Sequence, residues 1–153
     1  MTYTDYYNEK LQEGLEFQDI VTKALYSMGI IVVGYASRCF QAKYGENMLG
    51  AEIKRDGRFR DTGNIYIEIK EKAHPGNDEY VDSGIYREDN SWLYIIGDEK
   101  KAWIFSIKYL RWLHKSKPYQ AMKIPTSCGF LMPLDEVEKY SLMSFTPVTN
   151  GRT

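Results

Sequence analysis

The stretch of sequence that decides the fold is residues 65–72, which read IYIEIKEK. Side chains of a β-strand point alternately to its two faces, so the three isoleucines share one face. Glu68 and Lys70 share the opposite face. An apolar face backed by a charged one is typical of a strand that covers a hydrophobic core on one side. We therefore expect a strand whose outer face carries Glu68 and Lys70.

A second strand is expected just before this one. Residues 49–59 carry the apolar Ile53 between charged neighbours, and the turn-forming sequence DTGN follows at 61–64. Two strand patterns around such a turn predict an antiparallel hairpin. With Ile53 on the apolar face, the even-numbered residues of both strands lie together on the charged face.

Pairing across that hairpin sets two carboxylates against each other. A turn centred on Thr62 places Asp56 opposite Glu68 and Lys54 opposite Lys70. Directly opposed side chains have Cβ atoms about 5 Å apart, and two carboxylates at that distance repel unless something neutralises them. Oxygen ligands suit Mg²⁺, which commonly takes one or two carboxylates. Lys70 would then orient or deprotonate an attacking water, or offset charge on a phosphate.

The alternative interpretation is an exposed charged face. In it, Lys54 and Lys70 simply pair with Asp56 and Glu68, as lysines do on many surface strands. The Glu-x-Lys spacing by itself does not decide between the two.

Elements on both sides of the hairpin complete the predicted order. Apolar spacing predicts helices at 6–27, 107–114 and 133–142, strands at 30–35, 92–96, 102–105 and 129–131, and a long loop at 73–90. Four cations on or after the second helix either contact phosphate or form a solvated face, namely Lys108, Arg111, Lys115 and Lys117.

Composition bounds the class of protein. A chain of 153 residues, with 43% hydrophobic and 27% charged residues, fits one globular domain over residues 1–153. No apolar run is long enough to span a bilayer, so we expect a cytoplasmic protein without membrane contact. The net charge of −1 argues against a protein that coats nucleic acid non-specifically. Cys39 and Cys128 lie far apart and are predicted to be reduced, buried thiols.

The order of motifs resembles a known superfamily. A helix with GLEF at 14–17 is followed by a strand, by GAEIKRD at 50–56 and by IEIK at 67–70. This order resembles the PD-(D/E)XK nucleases, which include type II restriction endonucleases, Holliday junction resolvases and phage exonucleases. The resemblance implies an α/β (α+β) fold with a restriction endonuclease-like αβββαβ core, in which helices flank a central mixed sheet. It also implies Mg²⁺- or Mn²⁺-dependent hydrolysis of DNA.

The resemblance assigns a role to five residues. Glu68 and Lys70 become the acid-x-Lys pair, and Ile69 becomes a metal ligand through its backbone carbonyl. Asp56 becomes the preceding metal ligand, and Glu16 becomes the glutamate that the first helix contributes. For Glu16, a solvated helix position is the competing interpretation.

The first acid departs from the superfamily pattern, because no Pro-Asp dipeptide occurs in the chain. Glu52 competes with Asp56 for that role, since it lies on the same face and would reach the metal if the strand bulges. Asp61 is a third choice, although turn chemistry explains it better. A homodimer would let such an enzyme reach both strands of duplex DNA. The competing function is a non-catalytic nucleic-acid-binding or protein-interaction domain on the same fold.

Overall fold

The computed structural model describes residues 2–148, and its strands form two separate β-sheets. The helices are α1 (Tyr3–Ser27), α2 (Arg38–Tyr44), α3 (Phe59–Thr62), α4 (Ile107–Ser116) and α5 (Leu134–Tyr140). The strands are β1 (Ala51–Arg55), β2 (Asn64–Glu71), β3 (Val81–Asp82), β4 (Leu93–Gly97), β5 (Ala102–Ser106), β6 (Gln120–Ile124), β7 (Ser127–Pro133) and β8 (Met143–Phe145). A 3-10 turn covers Gly84–Tyr86.

The sheets contain four strands each. The first has the order β1-β4-β5-β8, and the second has the order β3-β2-β7-β6. β1 runs parallel to β4, whereas the other neighbours in both sheets are antiparallel. The predicted α/β class is therefore confirmed, but two sheets stand in place of the single central mixed sheet.

Two hydrophobic cores hold the layers together. The larger core lies between the sheets, where Ile65 and Ile67 of β2 share a buried cluster with Tyr94 and Ile96 of β4. Complete burial of an isoleucine side chain contributes about 1.5–3 kcal/mol. The smaller core lies between α1 and the other face of the first sheet, and it contains Ile53. The predicted apolar face of β2 is confirmed.

The two strands of the predicted hairpin, β1 and β2, both form, but they belong to different sheets. Their connection is the short helix α3, which buries Phe59 in the core between the sheets. Gly63 ends that helix at a φ of +72°, a left-handed conformation that glycine adopts without steric cost. Because a helical turn rather than a tight one separates the strands, β1 pairs with β4 and β2 pairs with β7.

β1 and β2 still meet near this connection. Asp56 Oδ2 accepts a hydrogen bond of 2.9 Å from the Tyr66 backbone N–H, and Lys54 Nζ lies 3.6 Å from Glu68 Oε1. The predicted pairing of Asp56 with Glu68 is therefore wrong, because Asp56 lies beside Tyr66, two residues before Glu68 in β2. An even shift preserves the alternation, so charged residues of both strands remain on a common side.

A β-bulge changes the position of Lys70. In the ladder between β2 and β7, Glu68 lies opposite Gly129 and Lys70 lies opposite Cys128, with an irregularity between the two pairs. Neighbouring residues of β7 point to opposite faces, so Lys70 does not share the face of Glu68. Glu71 returns to the Glu68 face instead. The predicted common face of Glu68 and Lys70 is wrong for this reason.

Residues 30–35 do not form the predicted strand. Gly34 makes an isolated bridge to Asn47, and Ile31 is 69% exposed. The β-branched residues favour an extended chain, but no ladder within residues 2–148 includes them. Directly after them, the Ser37 hydroxyl caps α2, an element that the sequence pattern did not predict.

Most other expectations about the elements are met. α1, α4, α5 and the antiparallel pair of β4 and β5 form close to their predicted positions. The strands β3, β6 and β8 were not predicted, and β3 lies within the predicted long loop. Cys39 and Cys128 are free thiols, but neither is fully buried, since Cys39 is exposed and Cys128 is half-buried. Among residues 2–148, no helix has both the length and the apolar character needed to cross a membrane.

Candidate active site

A lysine and a glutamate of β1 point into the space between the sheets. Ala51 and Ile53 pack in the core beside α1, so the alternation of the strand directs Glu52 and Lys54 to the opposite side. Glu52 is only 2% exposed, and the Lys54 side chain is 32% exposed. Buried ionised groups are costly unless they are paired, so this position demands partners.

Lys54 supplies the pairing by bridging two carboxylates. Its Nζ atom lies 3.1 Å from Glu52 Oε1 and 3.6 Å from Glu68 Oε1. Burial alone would lower the pKa of Lys54, but the carboxylates of Glu52 and Glu68 raise that pKa well above its usual value. Lys54 therefore stays protonated and carries a permanent positive charge between two strands of different sheets.

A further carboxyl approaches from the segment before β1. Burial and the nearby charge of Glu52 raise the pKa of Glu46 to about 7, against the opposing influence of Lys54 and Arg87. Within the described part of the chain, Oε2 of Glu46 and Oε2 of Glu52 are buried without a hydrogen-bond partner. Such oxygens are rare in folded proteins and call for an explanation, which for Glu46 is a proton favoured by its raised pKa.

We refer to four carboxylates around Lys54 as the acidic cluster, namely Glu46, Glu52, Glu68 and Glu71. Glu71 belongs to it because of the β-bulge. Burial is the main cause that raises the pKa of Glu71, and repulsion from Glu68 raises it further. Lys54 and Arg87 are the cations that lower the pKa values of Glu46 and Glu71. Negative charge is therefore in excess here when the carboxyls are ionised.

The loop after β2 folds back and fixes Glu68. The Ser83 hydroxyl donates a 2.8 Å hydrogen bond to Glu68 Oε1, and the Ser83 N–H donates to the carbonyl of Ile69. Gly84 follows at a φ of +53°, where a Cβ atom would lie 2.1 Å from the Glu68 carbonyl oxygen. Only glycine allows this approach, so the predicted long loop contains a local clamp on Glu68.

The other residues expected at the site lie elsewhere or have other partners. Asp56 accepts backbone hydrogen bonds at both carboxylate oxygens, from Arg58 and Tyr66, each at 2.9 Å. Lys70 is exposed on the far face of β2. The Ile69 carbonyl is the acceptor of the Ser83 N–H.

Glu16 is also outside the acidic cluster. It is exposed on α1 and accepts a hydrogen bond from the Gln12 side chain. α1 covers the face of the first sheet that carries Ile53, which is opposite to the face that carries Glu52 and Lys54. Of the residues expected at the site, the structure thus brings together Glu52 and Glu68.

Sequence reasoning missed four contributors to the site, and one of them, Glu71, faces the cluster only because of the β-bulge. Lys54 was detectable, because Glu52-Ile53-Lys54 is itself an acid-x-Lys triplet with the same spacing as Glu68-Ile69-Lys70. Glu46 and Ser83 lie in irregular segments without periodicity, and their position depends on the tertiary fold.

The donor chemistry of the acidic cluster suits a hard divalent cation. Its ligands are carboxylate oxygens, two of them orphaned, and Mg²⁺ and Mn²⁺ prefer such oxygens. In the chain from Thr2 to Val148, no three acidic, histidine or cysteine side chains form a ready metal-binding group. Instead the Lys54 ammonium lies between Glu52 and Glu68, so metal entry would require this lysine to move aside.

Comparison with known protein families, with characterised proteins and with solved structures finds no match to this chain. The class that the structure itself defines is an α/β fold with two sheets and a buried carboxylate–lysine cluster between neighbouring strands.

Proposed function

We propose that the protein is a metal-dependent nuclease that hydrolyses DNA phosphodiester bonds. The observation that carries the proposal is the convergence of Glu52, Lys54 and Glu68, two acids and a lysine held by different strands. Acids and a lysine at one point suit phosphate hydrolysis, since the acids hold a cation and the lysine offsets charge on the phosphate.

Each residue of the site has a defined role in this proposal. Glu52 and Glu68 would hold the cation, and Glu46 would add a further carboxylate oxygen. A bound Mg²⁺ or Mn²⁺ ion would supply the Lewis acid that polarises the phosphate. Lys54, which stays protonated, moves from between the carboxylates to the phosphate oxygens as negative charge builds on them. Water adds to phosphorus, the ester P–O bond breaks and a proton of the water passes to the departing oxygen, giving a phosphate monoester and an alcohol.

The proposal replaces Lys70 by Lys54 as the lysine of the acid-x-Lys motif. It extends to the fold, as a restriction endonuclease-like core in which the two motif strands have separated into different sheets but still meet at Asp56 and Tyr66. A cytoplasmic location and a homodimer that acts on both strands of duplex DNA belong to the same proposal.

The test is a cleavage assay on supercoiled, linear and branched DNA with Mg²⁺ or Mn²⁺. We expect wild type to cut at least one substrate, Lys54→Ala to lose most activity, and Lys70→Ala to retain it. These two lysines form a matched pair, since each follows Glu-Ile in a strand but only one faces the acidic cluster. No cleavage by wild type would reject the nuclease. Loss of activity in Lys70→Ala alone would reject the assignment of Lys54.

A second candidate function is a non-catalytic nucleic-acid-binding or protein-interaction domain. It is favoured by the ion pairs of Lys54 with Glu52 and Glu68, which partly neutralise these buried carboxylates without a metal. This function predicts binding without metal-dependent cleavage. It also predicts that Lys54→Ala affects the free energy of unfolding rather than any reaction.

A further inference from the structure

α4 presents a basic stripe with one large aromatic ring. Its buried side, which packs in the core between the sheets, contains Ile107, Leu110 and Leu113. The α4 stripe, as we define it, comprises the residues spaced i, i+3, i+4 and i+7 on the outer side, namely Lys108, Arg111, Trp112 and Lys115. Such spacing places all four side chains on one face of the helix.

Positive charge on the α4 stripe is not balanced locally. α4 contains no aspartate or glutamate, although the whole chain has a net charge of −1. In the described part of the chain, no carboxylate lies within ion-pair distance of Lys108, Arg111 or Lys115. A local surplus of cations on a near-neutral protein favours an anionic ligand.

The aromatic ring in the α4 stripe is held in place. Trp112 is 57% exposed, and its ring stacks on Tyr109 with centroids 5.7 Å apart and an angle of 7° between the planes. Tyr140 contacts the Tyr109 ring edge-on and supports the pair from α5. The indole therefore presents a flat surface to solvent that is already ordered, which lowers the entropic cost of stacking another ring on it.

The α4 stripe is connected to the acidic cluster. Arg111 donates a hydrogen bond from Nε to the carbonyl of Ile85, and its guanidinium lies 5.7 Å from the centre of the Tyr86 ring. Ser83, two residues before Ile85, holds Glu68. One short segment, from Ser83 to Ile85, thus contacts both Glu68 and Arg111.

We propose that the α4 stripe binds an unpaired segment of nucleic acid, with Trp112 stacked on a base and Lys108, Arg111 and Lys115 in contact with the phosphates. Flat aromatic surfaces among cations suit single strands, because an unpaired base exposes its face while a paired one does not. An anionic membrane can also take up cations and an exposed indole, so the observation that favours a base is the Trp112 ring held flat by its stacking on Tyr109. The proposal rests on the proposed function only in treating this strand as the substrate of the acidic cluster.

The test measures binding in EDTA, which separates it from metal-dependent cleavage. The full chain is titrated into fluorescent oligo(dT) of about 12 nucleotides and into a duplex of equal length, with anisotropy as the readout. We expect tighter binding to the single strand, weakened about tenfold or more in Trp112→Ala. Trp112→Phe should recover most of the affinity. Tyr26→Ala, which removes a 70% exposed ring from α1, should change nothing.

Salt dependence tests the cations separately. Titrations at about 50 and about 200 mM salt should show steep weakening, and Lys108→Ala should reduce the slope of log affinity by about one charge equivalent. The proposal is overturned if folded Trp112→Ala binds oligo(dT) like wild type, or if duplex binds as tightly as the single strand. It is also overturned if vesicles of phosphatidylserine bind the α4 stripe while oligo(dT) does not.

The two proposals fail in different ways. Binding that depends on Trp112 without any metal-dependent cleavage supports the α4 stripe and rejects the nuclease. Cleavage of DNA with unchanged oligo(dT) binding in Trp112→Ala supports the nuclease and rejects the α4 stripe.

Discussion

Asp56 and Tyr66 tie together two strands that belong to different sheets, since the Asp56 carboxylate accepts the Tyr66 backbone N–H at 2.9 Å. The second carboxylate oxygen accepts the N–H of Arg58 at the same distance. Asp56 thus follows directly after β1 and is hydrogen-bonded near the start of β2. This link keeps Lys54 and Glu68 close to each other. Its role is visible in the hydrogen bonds of the connection rather than in the acidic cluster.

Replacing Asp56 should therefore lower stability. Asp56→Ala leaves the Arg58 and Tyr66 N–H groups without their acceptors, and we expect the free energy of unfolding to fall by about 1–3 kcal/mol in urea denaturation. Asp61→Ala is the matched control, because the Asp61 side chain is exposed and makes no hydrogen bond or ion pair among residues 2–148. Equal stability of the two variants would show that the Asp56 hydrogen bonds contribute nothing.

The clamp on Glu68 depends on a glycine. Gly84→Ala forces a left-handed φ on alanine and sets its Cβ against the Glu68 carbonyl, so we expect a loss of at least about 1–2 kcal/mol in the free energy of unfolding. Gly14→Ala is the control, since Gly14 lies inside α1 with no atom within 4 Å of the added Cβ. The free energy of unfolding of the Gly14→Ala variant should rise by about 0.5–1 kcal/mol. A neutral Gly84→Ala would contradict the close approach of the loop.

The parts of the fold that sequence could predict are those whose information is local. The pair β4 and β5 was predictable because two apolar strands flank a short turn. The parallel pairing of Glu52 with Tyr94 was not, because about forty residues separate β1 from β4 and no local pattern sets the register. Likewise the bulge after Glu68 leaves no trace in an alternating sequence, yet it moves Lys70 to the other face.

The candidate site was likewise predictable only where it depends on the local pattern of a strand. Glu52 and Glu68 lie in strands whose alternation directs them away from apolar neighbours, and this required only the local pattern. Their approach to Lys54 depends on how one sheet lies against the other. Glu46 and Ser83 come from irregular segments, where side-chain direction is set by tertiary contacts rather than by period.

Metal binding should be detectable as stabilisation. Any ion that binds the folded state alone raises its stability, by about 1.4 kcal/mol at ten times its dissociation constant. We expect Mn²⁺ or Mg²⁺ to raise the melting temperature of wild type and not of Glu52→Gln. Glu16→Gln is the control, because Glu16 lies on α1, which covers the opposite face of β1. The Glu16→Gln variant should keep the metal-dependent rise in melting temperature. The reverse pattern would support the helix glutamate as a ligand and contradict the acidic cluster as the metal site.

The raised pKa of Glu46 predicts how stability changes with pH in EDTA. Burial and Glu52 raise this pKa from 4.5 to about 7 in the folded state, so the fold favours the neutral carboxyl. A group of this kind contributes stability fully below its unfolded pKa and loses it as pH rises through the folded pKa. Wild type should therefore lose stability between about pH 4.5 and about pH 7.

Glu46→Gln removes the ionisable carboxyl and should not show this loss. Since a pKa difference of one corresponds to about 1.4 kcal/mol, the variant should exceed wild type by roughly 1–3 kcal/mol at about pH 8 and match it at about pH 4. Urea unfolding across this range measures the difference, in which the titration of other groups largely cancels. Glu9→Gln, at an exposed position of α1, should give a constant difference. A Glu46→Gln difference that does not grow between pH 4.5 and pH 7 would mean that Glu46 is ionised in the fold without cost, and that its repulsion with Glu52 is already relieved.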